Sequence, residues 1–474
     1  MKVALLNPIP RRRGAVNKDI SGGFGTVSDF GNSPVARALT WLKQRGVRYP
    51  ILSLGYIAAL FERAGWDVHY GERVDDAENA DVALVYSSLV AHRAELELAE
   101  SVRARGRTQV GFVGPFASVK PELFTDHGDF VIAGEPERAV ERMATSGEIP
   151  RGIVSSALMD DLDSLPFPAW RYFDASQFRY APYFPAGRGF FPVLSSRGCA
   201  LSCAYYCPYT AVTGRKWRKR TPANVVAELE HLVRHYKAQR ILFRDPLFTL
   251  DRKRSAEIAD GIRAAGLHIE WVCETHLDYL DEDLLDRMHA SGLRSIKVGI
   301  ESANASVLQG VKRRHAGQER IRRLLHHCDR RGIGVVAFYI LGLPSDTEAS
   351  IAATLDYAKE LNTLGAQFTI ATPYPGTGFF EAASAEGRLL TEDWERFDIY
   401  TPVMRHDTLL PATIQRLKSK AYQQYYLRPA WAGKFLTHQW RRMQLRRAGA
   451  AGLSPVTAPV AADQALPTGT GGDL

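Results

Sequence analysis

The chain has 474 residues, which is too long for one ordinary hydrophobic core and predicts two or three domains. Its 45% hydrophobic and 24% charged residues are typical of a soluble globular protein, and no apolar run approaches the roughly 18 residues of a membrane span. The net charge of +8, part of it in basic runs at 11–13 and 438–447, does not by itself distinguish nucleic acid, lipid, an anionic cofactor or a solvated surface.

The first segment, MKVALLNPIP, has the pattern of a buried strand and lacks the long apolar core of a signal peptide. Because the chain has only five cysteines, a disulfide framework is not expected either. These features predict a cytoplasmic protein with reduced thiols.

Residues 1–145 alternate short β-rich runs with helical ones, and the first clear helix is LSLGYIAALFERAGW at 52–66. This alternation predicts an α/β domain, a doubly wound, Rossmann-like parallel sheet that binds its ligand beyond the carboxyl ends of the strands. The long glycine-rich loop at 17–33 either binds something or is disordered. It lacks the G-x-G-x-x-G fingerprint, which disfavours a nicotinamide cofactor.

Residues 146–188 form an extended linker rich in proline and aromatic residues, and a second alternation follows at 189–385. Its six strand–helix units predict a partial (β/α)6 barrel of the TIM type, with its chemistry where strands end and loops begin. The chain is then expected to be helical at 386–447. The last stretch, 448–474, is rich in small residues and proline and is expected to be disordered.

Three of the five cysteines, Cys199, Cys203 and Cys207, follow the first strand of the second array. Spacing of four would suit one face of a helix, but Gly198 and Pro208 bracket the segment and disfavour a helix there. Structural zinc needs a fourth ligand, and no histidine or cysteine follows before position 231. Three thiolates without a fourth suit a four-iron cluster that leaves one iron open.

This arrangement resembles the radical S-adenosylmethionine (radical SAM) enzymes, whose usual motif is C-x3-C-x2-C directly after the first barrel strand. Here the spacing is C-x3-C-x3-C, one residue longer. The following segments resemble the family in order, from ILFRDPLFTLD through GIESAN and FYILGLPSDTEAS to PYPGTGFFEAASAEGRL. The resemblance covers about residues 190–390.

The resemblance implies a 4Fe-4S cluster held by the three cysteines, with S-adenosylmethionine (SAM) chelating the fourth iron. One electron would then cleave SAM to methionine and a 5′-deoxyadenosyl radical, which abstracts hydrogen from the substrate. Other positions that match the family's SAM-binding segments are Asp245, Glu301, Ser302, Lys312 or Arg313, Ile340 and Gly342. Tyr205 and Tyr206 stand where the family has one aromatic residue, and the longer spacing leaves open which of them takes that role. Cys273 and Cys328, isolated in a strand and a helix, are expected to be core residues.

The first 145 residues, joined by LDSLPFPAW to such a barrel, resemble the cobalamin-binding radical SAM enzymes. Strand-end residues expected to face the corrin are Ser87, Ser88, Gly114 and Gly134, together with the GGFG loop at 22–25. The cobalt-ligating motif D-x-H-x-x-G is absent; its nearest match, DVHYG, lies within a strand, so His69 is interpreted as structural.

The resemblance implies a cobalamin-dependent enzyme that methylates an unactivated carbon of a small-molecule or lipid-like substrate. The alternatives are a rearrangement or cyclisation with the same cofactors, an RNA methylthiotransferase, and a non-enzymatic corrinoid or electron carrier. An external electron donor such as flavodoxin or ferredoxin is expected, and nucleic acid is not. The aromatic and basic segment at 421–447 is either a helical cap on the barrel or, less favoured, a peripheral membrane contact.

Overall fold

The computed structural model describes residues 1–10, 15–180, 189–314 and 316–450. The arginines at 11–13 and the predicted tail from residue 451 onward lie outside the described residues. In chain order, the first third contains β1 (Lys2–Leu6), β2 (Ala15–Asn17), β3 (Thr26–Ser28), α1 (Pro34–Gly46), β4 (Val47–Arg48), α2 (Leu52–Arg63), β5 (Asp67–Gly71), β6 (Val82–Tyr86), α3 (His92–Arg103), β7 (Gln109–Val113), α4 (Pro115–Val119), β8 (Phe130–Gly134), α5 (Glu137–Ser146) and β9 (Gly152–Ser156).

Six of these strands form one parallel sheet in the order β5-β1-β6-β7-β8-β9. The sheet is doubly wound, as predicted, because alternate side chains of β1 and β6 point into separate cores. Val3 and Leu84 pack with α2 and α5, whereas Ala4 and Val85 pack with α3. Residues 1–145 contain five strand-like runs, but the sheet has six strands, because β9 lies in the predicted linker and pairs with β8.

The second half contains β10 (Arg179–Tyr180), β11 (Phe190–Val193), β12 (Ser196–Arg197), α6 (Tyr209–Thr213), β13 (Arg218–Lys219), α7 (Pro222–Tyr236), β14 (Arg240–Phe243), α8 (Arg252–Ala264), β15 (Glu270–Thr275), α9 (Glu282–Ala290), β16 (Leu293–Glu301), α10 (Ala305–Gly310), α11 (Gln318–Arg331), β17 (Gly334–Leu341), α12 (Glu348–Leu361), β18 (Gly365–Ile370) and α13 (Gly378–Ala385). A second parallel sheet has the order β11-β14-β15-β16-β17-β18. Sequential parallel strands joined by helices confirm the predicted partial (β/α)6 barrel.

The C-terminal region is helical only from Pro411, in α14 (Pro411–Tyr426) and α15 (Pro429–Ala450), and residues 386–410 contain one short 3-10 turn, Trp394–Arg396. Helix α14 packs on the last barrel strand, where the Tyr422 hydroxyl donates to the Phe368 carbonyl at 3.0 Å. Across the described ranges no helix is long and apolar enough to cross a membrane. Helix α15 lies near the amino ends of the barrel strands, where Arg442 pairs with Glu270, the first residue of β15, at 2.8 Å.

Candidate active site

The three clustered cysteines lie on a loop that folds back on itself between β12 and β13. Gly198 has a φ of +81°, and a β-carbon there would collide with the Lys216 carbonyl across the loop. Cys203 belongs to the short 3-10 turn Ser202–Tyr205, and its carbonyl accepts from the Cys207 amide at 2.9 Å. The segment is thus a loop with one tight turn, and no continuous helix carries the three thiols.

All three cysteines line one cavity of about 670 Å³ that extends into the barrel. Cys199 and Cys203 are buried and Cys207 is half-buried. Burial raises the pKa of the Cys199 and Cys207 thiols, so a bound cation would be needed to hold them as thiolates. The cavity is large enough for a ligand of the size of SAM, since small-molecule sites commonly occupy about 300–1,000 Å³.

The donor set fits an iron–sulfur cluster better than a single metal ion. Within the described ranges, no three Cys, His, Asp or Glu side chains are grouped closely enough to hold one ion. A cubane places each thiolate on a different iron, which requires sulfur atoms farther apart than the ligands of one ion. The site has three thiols, and the cavity that they line would leave room for an exchangeable ligand on a fourth iron.

A buried ion pair lies against the cysteine loop. The Arg313 guanidinium is 3.6 Å from the Cys203 sulfur, donates to the Gly299 carbonyl at 2.8 Å and stands 3.7 Å from Glu301. Burial raises the pKa of Glu301, although Arg313 and a hydrogen bond from Tyr206 oppose the shift. Glu301 has a φ of +65° at the end of β16, a strained backbone that turns its side chain into the cavity.

Of the remaining residues predicted for the barrel site, some line the cavity and others do not. Tyr206 and Ile340 line the cavity, and so does Arg313, the alternative to Lys312. Tyr205, Lys312, Ser302 and Gly342 do not line it. Lys312 lies 4.9 Å above the Tyr205 ring, Ser302 contacts Thr354 at 3.2 Å, and the Gly342 amide donates to Asp346 at 3.0 Å. Of the two adjacent tyrosines, Tyr206 therefore faces the site.

Asp245 is fully buried and lies outside the set of cavity-lining residues. Its carboxylate accepts from the Ser195 amide at 3.0 Å, the Ser195 hydroxyl at 2.7 Å and the Ser196 hydroxyl at 2.5 Å. Ser195 immediately precedes the β12–β13 hairpin that carries the cysteine loop, and Ser196 is the first residue of β12. Asp245 thus fixes the position of the loop's first strand.

Two glutamates at the end of the N-terminal sheet form ion pairs with arginines at the base of the cysteine loop, and these contacts were not predicted from the sequence. Strands β12 and β13 pair Arg197 with Arg218. Arg218 donates to both carboxylate oxygens of Glu135, at 2.6 and 2.7 Å, and Arg197 donates to Glu137 at 2.7 Å. Both carboxylates belong to the sequence GEPE after β8, but the sequence gives no signal that they reach across to the barrel. Bidentate, buried arginine pairs give strong geometric specificity.

A second missed network lies on the barrel floor. Glu274 accepts from Arg244 at 2.9 Å and from Lys297 at 3.0 Å, and the Tyr209 hydroxyl donates to it at 3.3 Å. Arg244 also pairs with Asp19 of the glycine-rich loop at 3.1 Å. Glu274 and Lys297 are register partners on β15 and β16, and Arg244 directly follows β14. The signal in the sequence was a charged residue within or directly after each of three otherwise apolar strands, since a buried charge is stable only beside a partner.

The carboxyl edge of the N-terminal sheet is largely filled. Gly114 and Gly134 line a cavity of about 150 Å³ there, together with Gly22 and Gly23 of the glycine-rich loop. That volume is far smaller than a corrin ring requires. Ser87 and Ser88 do not line the cavity: Ser87 accepts from the Ala117 amide at 2.8 Å and Ser88 donates to Glu95 at 2.7 Å. In this conformation the small cavity at the sheet edge does not by itself hold a corrin ring.

Three other predictions concern residues away from these cavities. His69 lies on the edge strand β5 with its ring nitrogen 3.6 Å from Asp76, and it lines neither cavity. Cys273 and Cys328 are fully buried in β15 and α11 and line neither cavity, as expected of core residues.

A partial barrel with three thiols after its first strand, fronted by a Rossmann-like sheet, is the architecture of an iron–sulfur enzyme that uses SAM. Residues 193–358 match the model of the radical SAM superfamily. The chain is 30% identical to an uncharacterized methyltransferase of Pyrococcus horikoshii over 67% of this chain and 72% of that protein. It is 22% identical to the bacteriochlorophyllide d C-8(2)-methyltransferase of Chlorobaculum tepidum, over 76% and 81% of the two chains.

The chain belongs to the radical SAM superfamily, and the protein is a radical SAM enzyme, a membership that implies a 4Fe-4S cluster and SAM. Its fold matches that of TsrM, a radical SAM methyltransferase from Kitasatospora setae solved with cobalamin and a [4Fe-4S] cluster. The TM-score is 0.59, with 17% identity over 81% of this chain and 75% of that chain.

Proposed function

We propose that this enzyme transfers a methyl group to an unactivated carbon of a small molecule, with cobalamin as the intermediate methyl carrier. The observation that carries the proposal is the set of three cysteines, with no fourth protein ligand among the described residues, in the lining of a cavity of about 670 Å³. The relatives named as methyltransferases support methylation over other radical reactions.

In this proposal Cys199, Cys203 and Cys207 hold three irons of the cluster. When bound, the cluster supplies the electron that splits SAM into methionine and a 5′-deoxyadenosyl radical. Arg313 and Glu301 are the charged pair beside Cys203, and they suit the carboxylate and the amine of the methionyl group, respectively. Tyr206 keeps Glu301 oriented, and Ile340 offers an apolar surface to the adenine.

Cobalamin is the part of the proposal that the present conformation opposes. Its support is the doubly wound sheet whose carboxyl edge faces the barrel, together with the structural likeness to TsrM. Gly23 of the glycine-rich loop at 17–33 lies so close to Tyr86 and Pro115 that a β-carbon on it would contact both. A corrin would enter this edge only if the loop moved away from these two residues. We therefore assign no catalytic step to residues of that edge.

The electrons come from an external donor of the flavodoxin or ferredoxin kind, and the reaction takes place in the cytoplasm, where the thiols stay reduced.

The test is an anaerobic reaction of the reconstituted enzyme with methyl-labelled SAM, hydroxocobalamin, a reductant and a deproteinised cell extract. Methylation with cobalamin yields label in a small molecule, with S-adenosylhomocysteine and 5′-deoxyadenosine in equal amounts. A product without label, formed with 5′-deoxyadenosine alone, would replace methylation by rearrangement or cyclisation. A reaction that does not require hydroxocobalamin would remove the carrier from the proposal.

A further inference from the structure

The cavity continues from the cysteine loop to a wall built by the N-terminal and C-terminal helices. Leu42 of α1 lines it and is also 56% exposed, so this wall lies at an opening to solvent. The wall is otherwise aromatic and contains Phe30, Tyr422, Tyr426, Trp431 and Phe435. A surface of this kind suits the apolar or ring-shaped body of a substrate.

Nearly every charged group of the cavity is neutralised by a neighbour of opposite charge. Arg313 stands 3.7 Å from Glu301, and Lys297 and Arg244 share Glu274 at 3.0 and 2.9 Å. Arg244 has a second partner in Asp19. Each of these groups therefore already has a partner of opposite charge within the protein.

Lys43, in the last turn of α1, is the exception among the described cavity residues. Its ammonium lies 5.4 Å from the centre of the Phe30 ring and 5.9 Å from that of Tyr400, and within the described parts of the chain it contacts no carboxylate. Aromatic rings attract a cation without neutralising it. Burial and the nearby charge of Lys297 lower the pKa of Lys43 to about 7, so holding its charge here is costly.

The structural alternative is a lysine that caps the end of its own helix and extends its head to water. The position of Lys43 argues against it, because the side chain is half-buried, lines the cavity and lies over two rings. Arg45 shows the other behaviour: it is exposed on the same turn and stacks on Trp41 at 4.1 Å. Lys43 alone of the two is directed into the cavity.

We propose, on the basis of the function proposed above, that the substrate carries an anionic oxygen group that pairs with Lys43 while its apolar body lies along the aromatic wall. Lys43, the aromatic side chains and the three cysteines line one cavity. The anion is thus bound by Lys43 at the helical wall, and the body of the substrate extends along the aromatic side chains of the same cavity.

The test compares two probes with the same ring system, dansylate, which carries a sulfonate, and dansylamide, which is neutral at pH 7. Binding to the anaerobically reconstituted full chain with SAM is measured by equilibrium dialysis, which the colour of the cluster does not disturb. The variants are Lys43→Met, Lys43→Arg and the control Lys253→Met, which removes the same charge from a side chain that is 88% exposed on α8.

Wild type and Lys253→Met should bind dansylate at least about tenfold more tightly than dansylamide, the effect expected of one charge-assisted contact. Lys43→Met should remove the preference and Lys43→Arg should keep it. An unchanged preference in Lys43→Met, or no preference in wild type, overturns the proposal. Cleavage of SAM by the same wild-type sample is recorded separately, so a failure of the proposed radical chemistry is not confused with a failure of anion recognition.

Discussion

At the scale of single residues, two buried carboxylates that the sequence could not tell apart turn out to have different surroundings. Asp245 and Glu301 both lie at strand ends in segments that resemble the family's SAM-binding segments. Glu301 faces the cavity beside Arg313, whereas Asp245 holds Ser195 and Ser196 with three hydrogen bonds. The two carboxylates point in different directions from their strand ends. At Glu301 the backbone φ of +65° turns the side chain into the cavity.

We expect Glu301→Gln to bind SAM about ten- to hundredfold more weakly, because a charged hydrogen-bond partner contributes about 1.5–3 kcal/mol. Iron content should remain that of wild type, since no thiol is affected. The measurements are SAM binding by equilibrium dialysis and iron per chain. SAM affinity equal to wild type would show that Glu301 only supports Arg313.

The companion variant, Asp245→Asn, should behave in the opposite way. It disturbs a carboxylate that orders the strand leading to Cys199, so iron retention and thermal stability should fall. SAM affinity, measured on the fraction of chains that retain the cluster, should change less than in Glu301→Gln. A variant with full iron content and lost SAM binding would return Asp245 to the role that the sequence resemblance implied.

At the scale of elements, strands and helices with strong patterns were predictable and the contacts between them were not. Six strand–helix units and the loop bearing three cysteines follow from hydrophobic runs, glycine and proline. Strand β9 was missed because GIVSS is short and half polar, and it is an edge strand whose side chains are mostly exposed. Glu135 and Arg218 are 83 residues apart in the sequence, and no local pattern predicts a contact over that separation.

Removing Arg218 alone should lower the free energy of unfolding more than replacing both Arg218 and Glu135. Arg218→Met leaves the buried Glu135 carboxylate without its bidentate partner, which typically destabilises a protein by about 3–5 kcal/mol. The double variant Glu135→Gln/Arg218→Met should recover part of this loss, as measured by the free energy of unfolding in denaturant. Equal losses in the single and double variants would contradict a buried, paired carboxylate.

The stability of Arg218→Met relative to wild type should also depend on pH. Burial favours the neutral form of Glu135, but Arg218 and Arg197 outweigh it and hold the pKa of this carboxyl below its ordinary value. A lowered pKa means that the unfolded chain takes up the proton first as the pH falls. The advantage of wild type over Arg218→Met should therefore be complete at neutral pH and shrink below about pH 4. An advantage that persists unchanged at pH 3 would refute the pairing.

At the scale of the whole molecule, the carboxyl edges of two parallel sheets meet, and the glycine-rich loop fills the space between them. Fold class could be predicted because each half repeats one motif, βα, whose geometry permits few arrangements. The filled edge could not be predicted, because it depends on side chains from both halves. Asp19 illustrates this, because it belongs to that loop and pairs with Arg244 of the second half at 3.1 Å. The neighbouring Lys18 is buried and pairs with Glu95 at 2.6 Å.

If hydroxocobalamin binds at this edge, the loop at 17–33 must move and expose Lys18. We expect trypsin to cleave after Lys18 in the full chain with hydroxocobalamin and to spare that bond without it. His69→Ala should bind the corrinoid as well as wild type, because His69 lies on the far edge strand and pairs with Asp76. Weaker binding in His69→Ala would mean that the histidine contacts the corrinoid; binding without cleavage would show that the edge opens elsewhere.

The central claim is that one four-iron cluster is held by Cys199, Cys203 and Cys207, and iron per chain after anaerobic reconstitution tests it most directly. Wild type should contain about four irons. The triple variant with alanine at these positions should contain none, while Cys273→Ala and Cys328→Ala, which alter fully buried thiols outside the cavity, should retain the wild-type count. A triple variant that keeps its iron would contradict the account.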